Sequence, residues 1–275
     1  MVCGGVSGFT PEEDALHRVI MQELRTARAE RRPVPSSSAR LSNDLARAYR
    51  IQGLLIEAAE QNGARQVGWK IGLTSAAALA KVGALEPFYG VLLDNMVVSD
   101  TGGKLDLDCM IAPRVEVEIA ARIAVDVVGP VASADMLGSI DGWAVAAEVV
   151  DTAITDWAIS PVDMAADNGC VAYAVVGEFQ VGCPIPQSVM SAVILREGLQ
   201  IAAASFAHPP MNEIAENLAW LANAATKTGR HLRQGDIVLT GALAPMTELR
   251  RGRHEVQVLG FAPVEFEVIV GEASS

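Results

Sequence analysis

Arg114-Val115-Glu116-Val117-Glu118-Ile119-Ala120 is the stretch whose reading decides the fold. Two carboxylates sit two residues apart inside an apolar, β-branched run. β-Branched residues suit a pleated strand, and in a strand the side chains at i and i+2 share a face. Glu116 and Glu118 therefore project together, with Val115, Val117 and Ile119 packed behind them. Two like charges on a mostly buried strand cost free energy unless something neutralises them. A divalent cation is one remedy, because hard ions take oxygen ligands. An exposed edge strand with solvated glutamates is the other.

Downstream, Ala146-Ala147-Glu148-Val149-Val150-Asp151 is again acidic within a strand-like run. A buried Glu148 needs a partner. Either three carboxylates from two strands hold an octahedral ion with open positions, or Glu148 pairs with an arginine such as Arg114. Upstream, Lys70 lies in Gly68-Trp69-Lys70-Ile71-Gly72, where lysine is uncommon. Such a lysine binds a carboxylate, stabilises an enolate or moves a proton, unless it snorkels to the surface. Asp167-Asn168-Gly169 and Asp94-Asn95 read as turn chemistry.

The chain has 275 residues, is 51% hydrophobic and carries a net charge of −12. That length suits one large domain, or one domain with a helical extension. The acidity and the lack of a basic cluster with interleaved aromatics argue against nucleic acid. No apolar run reaches membrane-spanning length. Cys3, Cys109, Cys170 and Cys183 form no CxxC pair, so neither zinc nor a disulfide framework is indicated. The first residues lack a secretory pattern, which makes a reduced, cytoplasmic setting the expectation. No Gly-x-Ser-x-Gly elbow, P-loop or GxGxxG is present.

Thr10-Pro11-Glu12-Glu13 opens a helix with a capping box and runs to about Glu30. Residues 31–39 look like a linker, and a second helix runs from near Ser42 to Gly63. From residue 66 the pattern turns to strands: 67–73, 89–94, 113–127, 143–151, 171–182, 189–203, 236–241, 254–260 and 263–270. Residues 75–82 form a short helix, and Met211–Gly229 a longer one with an Ile214, Leu218, Leu221, Ala225 stripe. Many strands with few helices predict a mixed α+β or mostly-β fold rather than a doubly wound sheet, with residues 1–65 as a helical N-terminal cap region and 66–275 as the strand-rich domain.

In order, these pieces resemble the 2-keto-4-pentenoate hydratase / 4-oxalocrotonate decarboxylase family of the fumarylacetoacetate hydrolase superfamily. The resemblance spans about residues 41–270. It rests on Ala48-Tyr49-Arg50-Ile51-Gln52, Gly68-Trp69-Lys70-Ile71-Gly72-Leu73-Thr74-Ser75 and Tyr89-Gly90-Val91-Leu92-Leu93-Asp94-Asn95-Met96. It continues through Pro113–Ala120, Glu148–Asp151, Ala166-Asp167-Asn168, Trp220-Leu221-Ala222-Asn223 and Gly235–Gly241. It implies a mixed β-roll core and an Mg²⁺ or Mn²⁺ ion held by Glu116, Glu118 and Glu148. It implies catalytic roles for Lys70 and Asp94, and substrate contacts from Thr74, Asp167 and Cys170. The implied partners are a small 2-oxo or 2-hydroxydienoic acid, a homo-oligomer, and a complex with a downstream aldolase or sister decarboxylase.

Relatives often read Asp-Asn-Ala-Ser where this chain has Asp167-Asn168-Gly169-Cys170, and a thiol is the weaker hydrogen-bond partner. The function implied is hydration of 2-hydroxypenta-2,4-dienoate to 4-hydroxy-2-oxopentanoate in aromatic catabolism. The alternatives are decarboxylation of 4-oxalocrotonate, and a weakly active partner subunit of a hydratase–decarboxylase complex. Hydration is favoured because the sequence shows one site lysine and no obvious second basic residue for a distal carboxylate. Hydrolysis of a C–C bond would need a His/Glu pair, for which His17 is the available histidine.

Overall fold

A computed structural model describes residues 8–99, 102–182, 190–206 and 211–271. Cys3, Cys183 and His208 lie outside them. The helices are α1 (Pro11–Glu30), α2 (Leu45–Gln61), α3 (Ala76–Val82), α4 (Ser133–Met136), α5 (Pro161–Ala166) and α6 (Met211–Lys227). The strands are β1 (Gln66–Gly72), β2 (Phe88–Leu93), β3 (Val97–Ser99), β4 (Gly103–Asp106), β5 (Arg114–Ile123), β6 (Ile140–Val150) and β7 (Val171–Val176). They continue with β8 (Gln180–Val181), β9 (Met190–Arg196), β10 (Leu199–Phe206), β11 (Ile237–Ala242), β12 (Thr247–Glu248), β13 (Gly252–Val258) and β14 (Val264–Ile269).

The larger sheet runs β2-β1-β11-β5-β6-β7-β3, with β12 also on β5 and β8 on β6. The smaller runs β10-β9-β13-β14-β4. Pairing is mixed: β1/β11, β3/β7 and β4/β14 are parallel, and the other pairs are antiparallel. This is the expected α+β class with a mixed β-roll core.

Both faces of the large sheet are covered. On one face Val117, Ile119, Val145 and Ala147 join α6 (Leu218, Leu221) and the second sheet (Ile194, Val256, Phe266) in one core. Full burial of each such leucine stabilises by about 1.5–3 kcal/mol. The other face carries small groups: Ala120, Ala144, Ala146 and Ala174, with Leu92 and Leu239. Alanines leave room for this face to curl inward, and the charged side chains stand on it.

The predicted α1 is present with its capping box, and Thr10 and Glu13 bond each other's backbone N–H. The second helix starts later than Ser42. Ser42 and Asn43 both sit near φ +55°, so Asp44 becomes the cap. The segment taken as a linker is docked: Val34 bridges to Ile154, and the Ser37 backbone N–H donates to Asp163 Oδ1 at 2.9 Å. Ile20, Leu24, Leu41 and Ile51 share a core with Ala153, Ile154, Val162 and Ala165. Residues 189–203 are two strands rather than one. Glu197-Gly198 (φ +50° and +74°) turns the chain as a tight hairpin between β9 and β10. Among the described residues no helix is long and apolar enough to cross a membrane.

Candidate metal and active site

β5 brings Arg114, Glu116 and Glu118 to one face, as period two requires. The β5/β6 register sets Glu116 directly opposite Glu148. Ligand oxygens of Glu116, Glu118 and Glu148 all lie within 4.8 Å of one another. Glu118 and Glu148 are buried, and Glu116 is half-buried. β1 adds Lys70, also buried, with Nζ 3.1 Å from Glu148 Oε1. Lys70 has not snorkelled, and it rather than Arg114 is the cation beside Glu148.

An irregularity in β11 completes the cluster. Register slips between Leu239 and Ala242, and Gly241 adopts φ +111°. Its backbone N–H donates to Glu118 Oε2 at 2.8 Å. A Cβ at Gly241 would fall 2.2 Å from Thr74 Oγ1. Lys70 is confined by two further glycines. A Cβ on Gly90 would stand 3.1 Å from Lys70 Cγ, and one on Gly169 would stand 2.9 Å from its Cδ. The Phe88 ring lies beneath Nζ, 5.0 Å away.

Electrostatics mark the cluster as underneutralised. Burial, then Glu148, pushes the Glu116 carboxyl up to about 7, against Lys70 and Arg114. Burial, Glu148 and Glu116 drive Glu118 well above the carboxylate range. Burial disfavours a charged Lys70, but Glu148, Glu116 and Glu118 together outweigh it and raise its pKa. Among the described residues Glu118 Oε1 and both Glu148 oxygens accept no hydrogen bond, because the Lys70 contact is not aligned as one. Buried carboxylate oxygens without donors are what a hard cation satisfies. The donor set therefore fits a divalent ion.

A cavity of about 570 Å³ opens over the cluster. Lys70, Glu116, Glu118, Thr74, Cys170 and Arg114 line it. Leu73, Asp156, Trp157 and Cys170, all non-glycine residues with φ between +55° and +59°, also line it. Such strain concentrates at functional sites. Burial and Asp167 push the Cys170 thiol up to about 12, so it is a neutral group there.

Two expected site residues are not brought to this cavity. Asp94 accepts from the Arg65 backbone N–H and Nε, both at 3.0 Å, and from Asn95 N–H. Its carboxylate fastens a turn at the end of β2. Asp167 faces away, toward α1: Arg28 Nε donates to its Oδ1 at 3.0 Å, and Ala153 N–H to its Oδ2 at 2.9 Å. Asp167 thus anchors the segment that carries Cys170. His17 is buried in α1 against Phe9, outside the cavity lining. The reading that the site holds one basic residue also changes, since Arg114 and Lys81 line the same cavity. Period two places Arg114 on the Glu116 face and could have shown this. Trp157, over which the Arg114 guanidinium stacks at 4.3 Å, carried no sequence signal.

The model of the fumarylacetoacetate (FAA) hydrolase C-terminal family matches residues 91–269. The chain belongs to this family. Among FAA hydrolase relatives, the 2-keto-4-pentenoate hydratase of Burkholderia vietnamiensis is 34% identical over 244 residues, 88% of this chain and 93% of that one. The 2-hydroxyhexa-2,4-dienoate hydratase of Comamonas testosteroni is 31% identical over 208 residues, 74% of this chain and 78% of that one. The 4-oxalocrotonate decarboxylase of Pseudomonas putida, solved with magnesium and adipate, shares the FAA hydrolase fold at a TM-score of 0.83. It is 24% identical and covers 95% of this chain and 99% of that one.

Proposed function

We propose that the chain is a metal-dependent lyase that adds water to 2-hydroxypenta-2,4-dienoate, or a close homologue, giving 4-hydroxy-2-oxopentanoate. The observation that carries this reading is the buried cluster of Lys70 with Glu116, Glu118 and Glu148. It occurs in a chain 31–34% identical to relatives named as hydratases of such dienoates.

Glu116, Glu118 and Glu148 would hold Mg²⁺ or Mn²⁺. When bound, the ion supplies Lewis-acid stabilisation for negative charge developing on the C2 oxygen. Lys70, confined by Gly90 and Gly169, offers a fixed ammonium to the C1 carboxylate. Val150, Phe88 and Trp157 line the cavity as apolar surface that holds the diene and limits bulk water. The dienol is protonated at C5, and water then adds at C4 of the resulting enone.

Purified protein with Mg²⁺ or Mn²⁺ tests the reading. Conversion of the dienol to 4-hydroxy-2-oxopentanoate without CO₂ is the expected result, with loss of turnover in Glu116→Ala. Stoichiometric CO₂ from 2-oxo-3-hexenedioate, with no hydration, sinks it. That decarboxylase reading is favoured by one observation, the two basic side chains at the cavity mouth. The Cys170 departure favours a weakly active subunit, which predicts metal binding with negligible turnover on both substrates.

A further inference from the structure

Arg28, on α1, is the counter-ion of two buried carboxylates that stand behind the cavity. Its Nε donates to Asp167 Oδ1 at 3.0 Å, and its Nη2 lies 2.9 Å from the same oxygen. Nη2 also donates to the Asp151 carbonyl oxygen at 3.0 Å, and Nη1 lies 3.6 Å from Asp151 Oδ2. Asp151 and Asp167 are buried, and among the described residues no other cation lies within 4.0 Å of either. A buried carboxylate stripped of its cation is strongly unfavourable, so the guanidinium fixes where both acids sit.

Each acid holds a different wall of the cavity. Asp167 opens the turn through Asn168, Gly169 and Cys170, whose φ values are +50°, +66° and +59°. Backbone in that region persists only where its surroundings over-determine it. The Cys170 N–H donates back to the Asp167 carbonyl at 2.9 Å, and the Cys170 carbonyl accepts from the Asp151 N–H at 2.8 Å. Gly169 and Cys170 line the cavity, and Gly169 confines the Lys70 side chain. The Asp151 carboxylate holds the other wall, accepting from the Ile111 and Ala112 N–H groups at 2.9 and 2.8 Å. The Ala112 carbonyl in turn accepts from Trp157 Nε1–H at 2.9 Å, and Trp157 also lines the cavity. One side chain on α1 therefore ties together two segments that carry cavity-lining residues. Glu116 and Glu148 need no such tie, because the β5/β6 register sets them opposite each other.

We propose that Arg28 is a positioning residue that sets both walls for turnover, Gly169-Cys170 beside Lys70 and Trp157 beside Arg114, without touching the metal ligands. α1 is then part of the working site although it lies outside residues 91–269, the part that the family model matches. The inference rests on the reading that turnover takes place at the carboxylate cluster.

Alkylation of Cys170 in the folded full chain, read by peptide mass spectrometry, tests it. Amide exchange at Ile111-Ala112, Mn²⁺ titration and kinetics on the dienol accompany it, all compared at equal folded fraction. Arg28→Met is expected to label Cys170 and to exchange Ile111-Ala112 about tenfold faster or more. Its kcat is expected to fall by about tenfold or more. Its Mn²⁺ affinity is expected to hold within about threefold, short of the roughly 10-fold or greater loss that follows removal of a group supporting a ligand. Arg28→Lys keeps one ion pair and should fall between Arg28→Met and wild type. Arg50, which ties α1 to α2 through Asp14 at 3.2 Å, is the control. Arg50→Met should cost stability while Cys170 labelling and kcat stay near wild type. Unchanged labelling or unchanged kcat in Arg28→Met overturns the proposal. So does the same change in Arg50→Met, or a loss of turnover matched by the loss of Mn²⁺ affinity. If Arg28→Met fails to fold, Arg28→Lys carries the test, and wild-type behaviour in it overturns the proposal. If the wild type turns over no dienol, the underlying reading fails, and labelling, exchange and Mn²⁺ affinity still decide whether Arg28 sets the walls.

Discussion

Lys70 and Glu148 meet at 3.1 Å although two strands, β11 and β5, stand between their own strands in the sheet. Neighbouring strands lie about 4.8 Å apart, so a flat sheet would separate β1 from β6 by about 14 Å. The contact exists because the sheet curls and the alanine-lined inner face lets Lys70 reach across. Replacing Lys70 by Met leaves Glu148 beside Glu116 and Glu118 without a cation. Removing one partner of a buried pair costs about 3–5 kcal/mol. Urea unfolding of Lys70→Met in chelator should show a loss near the lower end of that range, with part recovered in saturating Mn²⁺. A loss identical with and without metal would count against a shared role for lysine and ion.

That geometry also shows what a linear reading reaches. The period of two in residues 114–120 gave the shared face of Glu116 and Glu118, and the polar outliers Lys70 and Glu148 stood out against apolar runs. Their meeting was legible only through resemblance, because register and curl are not local properties. Asp94 and Asp167 misled for a related reason. A carboxylate in a turn motif looks the same whether it faces a ligand or a distant arginine, and Arg28 lies 139 residues from Asp167. Short strands such as β3, β4 and β12 have too few residues to show a period.

Glu118→Gln separates stability from metal binding. Glu118 Oε2 accepts from Gly241 N–H, while among the described residues Oε1 has no hydrogen-bond partner. An amide keeps the acceptor and removes one of three crowded charges. The metal-free variant should be more stable by about 1 kcal/mol. Its divalent-ion affinity should fall on the order of 100-fold. Chelator-treated melts and Mn²⁺ titration measure the two, and a destabilised variant with unchanged affinity would contradict the assignment.

His17 should impose an acid-side stability loss. It is fully buried, and among the described residues neither ring nitrogen has a hydrogen-bond partner. Burial holds its pKa below the ordinary 6.5, with Asp14, 3.8 Å away, only partly opposing. The unfolded chain takes up a proton near pH 6.5 that the folded histidine refuses. Stability therefore falls as pH drops below 6.5, and above that both states are neutral and nothing is gained. The slope reaches at most about 1.4 kcal/mol per pH unit for one histidine. His254 is shifted the same way, so His17→Leu should remove one share of the slope. Denaturant midpoints between pH 5 and 8 decide it, and an unchanged slope would rule His17 out.

Gly90→Ala tests whether close backbone approach holds the Cys170 segment in place. A Cβ at residue 90 would lie 2.4 Å from the Asn168 carbonyl oxygen and 3.1 Å from Lys70 Cγ. Retreat is blocked, because the Asn168 side chain bonds both the N–H and the C=O of Val91, at 2.8 and 2.9 Å. The variant must break buried hydrogen bonds or displace Lys70. The expected cost is about 2–4 kcal/mol, with a loss of turnover beyond what the remaining folded fraction explains. Gly53, inside α2, is the control, because among the described residues a Cβ added there would meet nothing within 4 Å beyond its own helix backbone. Gly53→Ala should be neutral or stabilise by about 0.5–1 kcal/mol. Matching stability and turnover in the two variants would show that the Gly90 contact does not position Lys70.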